Sequence, residues 1–151
     1  MGRDRELARA ADVLSRPPAV LVVEGEAGVG KSGLVAEAVR AQARAGRTVL
    51  TGRCHPLREP EPFGPVADAL RDAAALLPPR AELPPSTGAL GWLLPDLAPL
   101  LPAAPSGGDG LLSARRLLAQ GVRALLAALD DPVLVIEDLH WADDATLDLL
   151  L

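Results

Sequence analysis

Residues 22–32, VVEGEAGVGKS, carry the most specific pattern in the chain. It fits the pattern G-x-x-x-x-G-K-[ST], follows an apolar run at 19–23 and opens a helical pattern at 31–44. Glycines in such a loop let successive backbone N–H groups turn to one side, and the helix N-terminus adds partial positive charge there. The sequence therefore predicts an anion-binding loop between a buried strand and a helix.

The lysine of this pattern, Lys31, is the only lysine among the 15 basic residues. Its compact ammonium can reach the β- and γ-phosphates of a nucleotide, whereas the planar fork of arginine would not replace it. The Ser32 hydroxyl can complete a Mg²⁺ shell. A glycine-rich turn without a ligand is the alternative, but the chain's own composition gives such a match by accident in roughly 1 of 2,000 cases. We expect a nucleotide to contact Gly25, Glu26, Ala27, Gly28, Val29, Gly30, Lys31 and Ser32.

A second candidate element is VLVIEDLHWADD, residues 133–144, in which Glu137 and Asp138 directly follow an apolar run. Acidic residues at the carboxyl end of a buried parallel strand face the crevice where ligands bind. One carboxylate can hold Mg²⁺, and the other can orient or activate the attacking water. We therefore predict Glu137 and Asp138 as catalytic and metal-binding residues.

Apolar runs and helical periods alternate along the chain. Runs that suit buried strands lie at 19–23, 48–52 and 133–136. Helical patterns lie at 3–15 with Asp4 as a candidate N-cap, at 31–44, from Pro65 to about Leu77, at 111–129, and from Asp143 onward. Strand, helix and strand between residues 19 and 52 predict a βαβ unit with parallel strands, so the predicted class is α/β.

Residues 78–110 hold eight prolines and five glycines among 33 positions, which predicts an irregular insert. Leucines from Leu90 to Leu101 keep a helical period that Pro95 and Pro99 interrupt. This pattern favours short, broken helices whose leucines belong to the core or to a partner surface.

The composition argues against several classes of protein. The net charge of −5 argues against a general nucleic-acid-binding surface, and the single cysteine excludes an intramolecular disulfide. No run of about 18 apolar residues is present, and the charged N-terminus does not resemble a signal peptide. We expect a soluble, cytoplasmic chain with no membrane partner. The guanine-reading N-K-x-D motif is impossible because the chain has no asparagine, which disfavours a GTPase.

Five segments together resemble one known family. They are GRDREL (2–7), VVEGEAGVGKS (22–32), TGRC (51–54), PFGPVADALR (62–71) and VLVIEDLHWADDATLDLL (133–150). They are similar to the AAA+/STAND-type P-loop ATPase domain at the front of large ATP-binding LuxR-type transcriptional regulators and their signalling relatives. The similarity covers nearly the whole chain except the insert at 78–110.

The resemblance implies a P-loop NTPase-type three-layer αβα fold with a parallel sheet of spatial order 5-1-4-3-2. It also implies ATP and Mg²⁺ as ligands, Glu137 and Asp138 as the Walker B pair, and Gly2 and Arg3 as an N-terminal box near the adenine. DNA would be bound only by C-terminal domains absent here. Strand 4, the sensor residues and the lid would follow residue 151. We therefore expect residues 1–151 to be the N-terminal part of one ATPase domain, with an incomplete sheet and a tendency to self-associate.

One departure from the family pattern concerns the Walker B pair, which is often Asp-Asp or Asp-Glu but here begins with Glu137. It leaves open which carboxylate binds the metal, and it favours slow hydrolysis of the kind that suits a nucleotide switch. Two functions follow. The first is ATP binding with slow Mg²⁺-dependent hydrolysis in a signalling or transcriptional regulator. The second is a nucleotide-binding or interaction module without turnover.

Overall fold

A computed structural model describes residues 3–16, 19–56, 62–106, 110–130 and 132–150. The chain divides into two compact units, Met1–Val49 and Leu50–Leu151. Among the described residues, no helix combines the length and the apolarity needed to cross a membrane.

The first unit contains helices α1 (Asp4–Leu14) and α2 (Lys31–Arg44), which pack against each other. Both lie where the periodicity predicted them. Gly46, at φ 85°, ends α2 in the left-handed conformation that glycine adopts without strain. The N-cap of α1 is Arg3, so the prediction of Asp4 as the cap is wrong by one position. Asp4 lies inside the first turn, where its carboxylate still faces the positive end of the helix dipole.

The apolar run at 19–23 is not a strand, which corrects the prediction of a buried β-strand there. Val20 and Val22 are 71% and 56% exposed. A strand requires a neighbour that accepts and donates its backbone hydrogen bonds. In the part of the chain that the structure describes, the sheet consists of two strands and neither is this run. The predicted βαβ unit is therefore not formed either.

The sheet pairs β1 (Val49–Arg53) with β2 (Val133–Glu137) in parallel. Both strands were predicted within one residue of their bounds. Their direct pairing agrees with the adjacency of strands 2 and 3 in the expected order. The α/β class is confirmed, and this sheet is compatible with part of a P-loop NTPase-type fold. The three-layer arrangement stays a prediction.

The helices of the second unit are α3 (Gly64–Asp72), α4 (Leu111–Ala128) and α5 (Asp144–Leu150). Helix α3 packs against β2 and α5, and Pro65 lies in its first turn as predicted. It ends earlier than the predicted Leu77, because a 3₁₀ turn at Ala74–Leu76 replaces its last part.

The proline-rich insert folds into 3₁₀ segments at Arg80–Glu82, Pro85–Trp92 and Ala98–Leu100. The prediction of short, broken helices is confirmed, because proline removes the amide that a continuous helix requires. The segment 85–92 packs along α4. Gly121 of α4 makes this approach possible, since a Cβ there would lie 3.0 Å from the carbonyl oxygen of Ser86.

The core of the second unit draws on both the helices and the insert. Its fully buried large side chains include Leu50, Phe63, Leu70, Leu90, Leu94, Leu101, Val122 and Leu125. The leucine period of the insert is therefore mainly a core feature. Leu111 and Leu112, which share the predicted apolar face of α4, are exposed because they lie at the first turn of that helix.

Candidate nucleotide-binding site

The glycine loop leads directly into the N-terminus of α2. Gly28 and Gly30 have φ values of 79° and 89°, which L-residues with side chains rarely adopt. Gly30 is the N-cap, and no described side chain caps this helix end. The first turn of a helix carries amides without intrahelical acceptors. The loop therefore offers those amides and the positive end of the helix dipole to an anion.

Lys31 is the first residue of α2, and its side chain folds back over the loop. Its Nζ donates to the carbonyl oxygens of Gly25 at 2.7 Å and Glu26 at 2.9 Å. The ammonium is thus held at the loop by two neutral acceptors and by no described carboxylate. A phosphate oxygen carries more negative charge than a carbonyl oxygen, so it can compete for this ammonium.

Arg3 also contacts the loop, from the N-cap of α1. Its guanidinium donates to the carbonyl oxygens of Val29 and Gly30. The predicted partner of Arg3 in the N-terminal box, Gly2, lies outside the described residues. Within the first unit, the structure thus brings Arg3 together with the loop residues 25–32.

In the second unit, Glu137 is the last residue of β2 and Arg53 is the last residue of β1. The Arg53 Nε donates to the Glu137 carboxylate at 2.9 Å, and the terminal nitrogen of the guanidinium donates to the same oxygen. The pKa of Arg53 is raised, first by this hydrogen bond and then by the charge of Glu137. The Glu137 carboxylate is therefore paired with a permanently charged guanidinium.

Asp138 follows the strand in the left-handed conformation, at φ 56°, which aspartate adopts more readily than most residues. The turn reverses the chain into a 3₁₀ segment at Leu139–Trp141, where the Trp141 amide donates to the Asp138 carbonyl at 2.9 Å. The Asp138 side chain is about half exposed and lies 3.9 Å from the Arg53 Nε. Both acidic side chains thus lie at the carboxyl edge of the sheet, as predicted.

Asp143 anchors the end of this motif. Its Oδ1 accepts from the Thr146 amide at 2.9 Å and from the Phe63 amide at 3.3 Å, and its other oxygen accepts the Thr146 hydroxyl. The predicted capping of α5 by Asp143 is confirmed. The sequence did not predict the contact with Phe63, which joins the start of α3 to the start of α5.

A cleft of about 120 Å³ opens beside this edge of the second unit. It is much smaller than the roughly 300 Å³ or more of pockets that hold whole ligands. Cys54, in its wall, is buried, and the pKa of its thiol is raised by burial and then by the charges of Asp143 and Asp138. A raised pKa makes a poor nucleophile, which agrees with a packing role for this residue. The cleft is lined by Arg53, Cys54, His55, Gly64, Pro65, Ala67, Asp68, Arg71, Leu93, Trp141 and Asp143.

The principal residue that sequence reasoning missed is Arg53. It lies 84 positions before Glu137, so no local spacing relates the two. A signal was present nevertheless. Arg53 directly follows the predicted strand 48–52, and Glu137 directly follows the predicted strand 133–136. The carboxyl ends of adjacent parallel strands share one edge of a sheet, so the two residues could be expected to lie close together.

The acidic residues do not form a metal site by themselves. Among the described residues, no group of three or more His, Cys, Asp or Glu side chains could hold a metal ion. Mg²⁺ bound with a nucleotide needs fewer protein ligands, because phosphate oxygens and waters supply the rest. Ser32, Glu137 and Asp138 are all oxygen donors, so their chemistry fits Mg²⁺.

Comparison with known proteins agrees with these features. The family model described as "AAA ATPase domain" matches residues 1–151. No curated protein and no solved structure gives a significant match. Since the family model spans the whole chain, the chain belongs to the AAA ATPase domain family.

Proposed function

We propose that this chain binds Mg·ATP and hydrolyses it slowly, as the nucleotide switch of a STAND-type signalling or transcriptional regulator related to LuxR-type proteins. The observation that carries the proposal is the N-terminus of α2, where a glycine loop, a helix end that no described side chain caps and the only lysine of the chain coincide. Membership of the AAA ATPase domain family supports a nucleotide as the anion.

In the proposed complex, the loop residues 25–30 and the first amides of α2 contact the phosphates. Lys31 leaves the carbonyl oxygens of Gly25 and Glu26 and binds the β- and γ-phosphates. Bound Mg²⁺ would neutralise charge that develops on the phosphates, and Ser32 is the ligand that we propose for it in the first unit. Of the two acidic residues in the second unit, Glu137 and Asp138, we propose one as a metal ligand. The remaining acidic residue orients the attacking water.

The ion pair at the sheet edge explains why we propose slow hydrolysis. A carboxylate oxygen that accepts hydrogen bonds from a guanidinium has fewer lone pairs free to orient an attacking water. The Glu137 carboxylate is held in this way by Arg53. Turnover then requires that Glu137 separate from Arg53, so a regulator could control the rate at this step.

The same ion pair favours the second candidate, a nucleotide-binding module without turnover. If Glu137 stays with Arg53, the loop still binds a nucleotide, but no base acts on water. Any DNA-binding output would belong to other domains of a longer protein, and self-association of this chain is a further part of the proposal.

The two candidates are separated by the double substitution Glu137→Gln and Asp138→Asn. We expect it to abolish phosphate release from Mg·ATP while Mg·ATP binding, measured by calorimetry, changes by less than about tenfold. Wild-type chain that binds Mg·ATP but releases no phosphate above the rate of the double variant would instead establish the module without turnover.

A further inference from the structure

Arg3 forms a connection between helix α1 and the phosphate loop that the proposed function does not use. Its backbone starts the helix, where its carbonyl oxygen accepts from the Leu7 amide at 2.9 Å. Its guanidinium donates to the carbonyl oxygens of Val29 and Gly30. One side chain therefore joins the first turn of α1 to the last residues before α2.

The absence of a side chain at Gly30 leaves room for this contact. A Cβ built on Gly30 would lie 2.9 Å from the Arg3 Cζ, and one built on Gly33 would lie 3.7 Å from a terminal guanidinium nitrogen. The Gly30 carbonyl oxygen also accepts the first α-helical hydrogen bond, from the Leu34 amide at 3.3 Å. Both lone pairs of this oxygen are thus engaged, one by α2 and one by Arg3.

Fixing these two carbonyls fixes two amides. In a planar trans peptide, the C=O of one residue and the N–H of the next point in opposite directions. The carbonyls of Val29 and Gly30 share their peptide planes with the N–H groups of Gly30 and Lys31. A guanidinium bound to the two oxygens therefore directs both N–H groups away from Arg3. These amides belong to the set that we propose contacts phosphate.

We propose that Arg3 is a positioning residue for the phosphate site, which it serves by holding the peptide planes of the loop rather than by touching the nucleotide phosphates. The planar fork of arginine suits two neighbouring carbonyl oxygens, whereas a lysine supplies a single point charge. This inference rests on the proposed function. It also makes the position of α1 matter for nucleotide affinity, so that a displacement of this helix would loosen the loop.

The test compares Arg3→Ala, Arg3→Lys, Arg5→Ala and Lys31→Ala with the wild-type chain, using Mg·ATP and Mg·ADP in calorimetric titrations. Arg5 is the matched control because it is an exposed arginine on the same helix. We expect Arg3→Ala to weaken both nucleotides by about tenfold. Arg3→Lys should recover only part of that loss, and Arg5→Ala should remain within about twofold of the wild type.

A second readout separates positioning from a general loss of stability. In ¹H–¹⁵N spectra of the ligand-free chain, Arg3→Ala should shift the amide signals of Gly30 and Lys31, while Arg5→Ala should leave them in place. Unchanged affinity in Arg3→Ala, or weaker affinity without movement of these two signals, overturns the inference alone. A wild-type chain that binds neither nucleotide overturns the proposed function, and the inference with it.

Discussion

Arg53 and Glu137 end the two neighbouring strands of the sheet, and the guanidinium of one holds the carboxylate of the other. The Arg53 Nε lies 2.9 Å from a Glu137 carboxylate oxygen and 3.9 Å from an Asp138 carboxylate oxygen. The pair is partly exposed, with side-chain exposures of 59% and 31%. Exposed pairs of this kind contribute little to the free energy of unfolding. The main effect of this ion pair is therefore to fix the position of the Glu137 carboxylate.

Replacing Arg53 by glutamine should release Glu137. Glutamine keeps a polar side chain of moderate length but removes the positive charge that competes with water for the carboxylate. We expect kcat for Mg·ATP hydrolysis to rise by about 3- to 10-fold, with the Kd for Mg·ATP within about twofold of the wild type. Steady-state phosphate release and calorimetry measure the two quantities.

Arg71→Gln is the matched control for this change. Arg71 is also a partly exposed arginine of the second unit, but it pairs with Asp68, at 2.7 Å, and not with Glu137 or Asp138. It should leave kcat unchanged. A decrease of kcat in Arg53→Gln would contradict a restraining role and would assign Arg53 to the stabilisation of the transition state.

Asp143 should be the acidic residue of the EDLHWADD motif on which stability depends most. Its carboxylate accepts from the amides of Phe63 and Thr146 and from the Thr146 hydroxyl, which is fully buried. Loss of a helix cap costs about 1 kcal/mol, and unpaired buried groups add to that cost. We expect Asp143→Ala to lower the free energy of unfolding by about 2–3 kcal/mol in urea titrations.

The neighbouring residue provides the control. Asp144 is exposed and lies in the first turn of α5, so Asp144→Ala should cost less than about 1 kcal/mol through the helix dipole alone. Asp143→Asn, whose side chain can still accept hydrogen bonds at one oxygen, should lower the free energy of unfolding by an amount between those of Asp143→Ala and Asp144→Ala. Equal costs for Asp143→Ala and Asp144→Ala would refute the bridging role of Asp143.

Cys54 should make the stability of the fold fall in alkali. Burial and the charges of Asp143 and Asp138 raise the pKa of its thiol above the unfolded value of about 8.5. The folded state therefore retains the proton that the unfolded state loses. This contribution is complete below about pH 8.5 and is lost as the pH rises through the folded-state pKa, with a slope of at most about 1.4 kcal/mol per pH unit.

Urea unfolding between pH 7 and pH 10 checks this dependence. The background is small in this range, because the chain has no tyrosine and a single lysine. Cys54→Ala should flatten the curve above pH 8.5. An identical slope in wild type and Cys54→Ala would show that another group titrates.

Elements whose ends are marked by nearby residues could be predicted from the sequence, whereas elements that depend on distant partners could not. Helix α2 was predicted with its observed bounds, because its start and end are marked locally by the loop glycines and by Gly46. The run 19–23 has the composition of a buried strand but forms none. Apolar, β-branched residues indicate a preference, whereas a strand depends on a neighbour elsewhere in the chain.

The candidate site shows the same division. The loop, Lys31, and the acidic pair could be found from motifs, because their chemistry requires fixed spacing. The contacts of Arg53 with Glu137 and of Arg3 with Val29 and Gly30 could not, since they join residues 84 and about 26 positions apart. Such pairings follow only when the order of strands and the packing of helices are known.

The loop before α2 is proposed to bind the phosphates of Mg·ATP. The most direct test of this binding is a calorimetric titration of the 151-residue chain with Mg·ATP, with Lys31→Ala and Lys31→Arg alongside. Losing a charge-assisted phosphate contact costs about 1.5–3 kcal/mol, so Lys31→Ala should weaken binding by roughly 10- to 150-fold. Lys31→Arg should recover little of it, because a planar guanidinium does not replace the compact ammonium. Saturable binding by the wild type that both variants lose is the predicted result; binding that is equal in all three chains would show that Lys31 and its loop do not hold the phosphates.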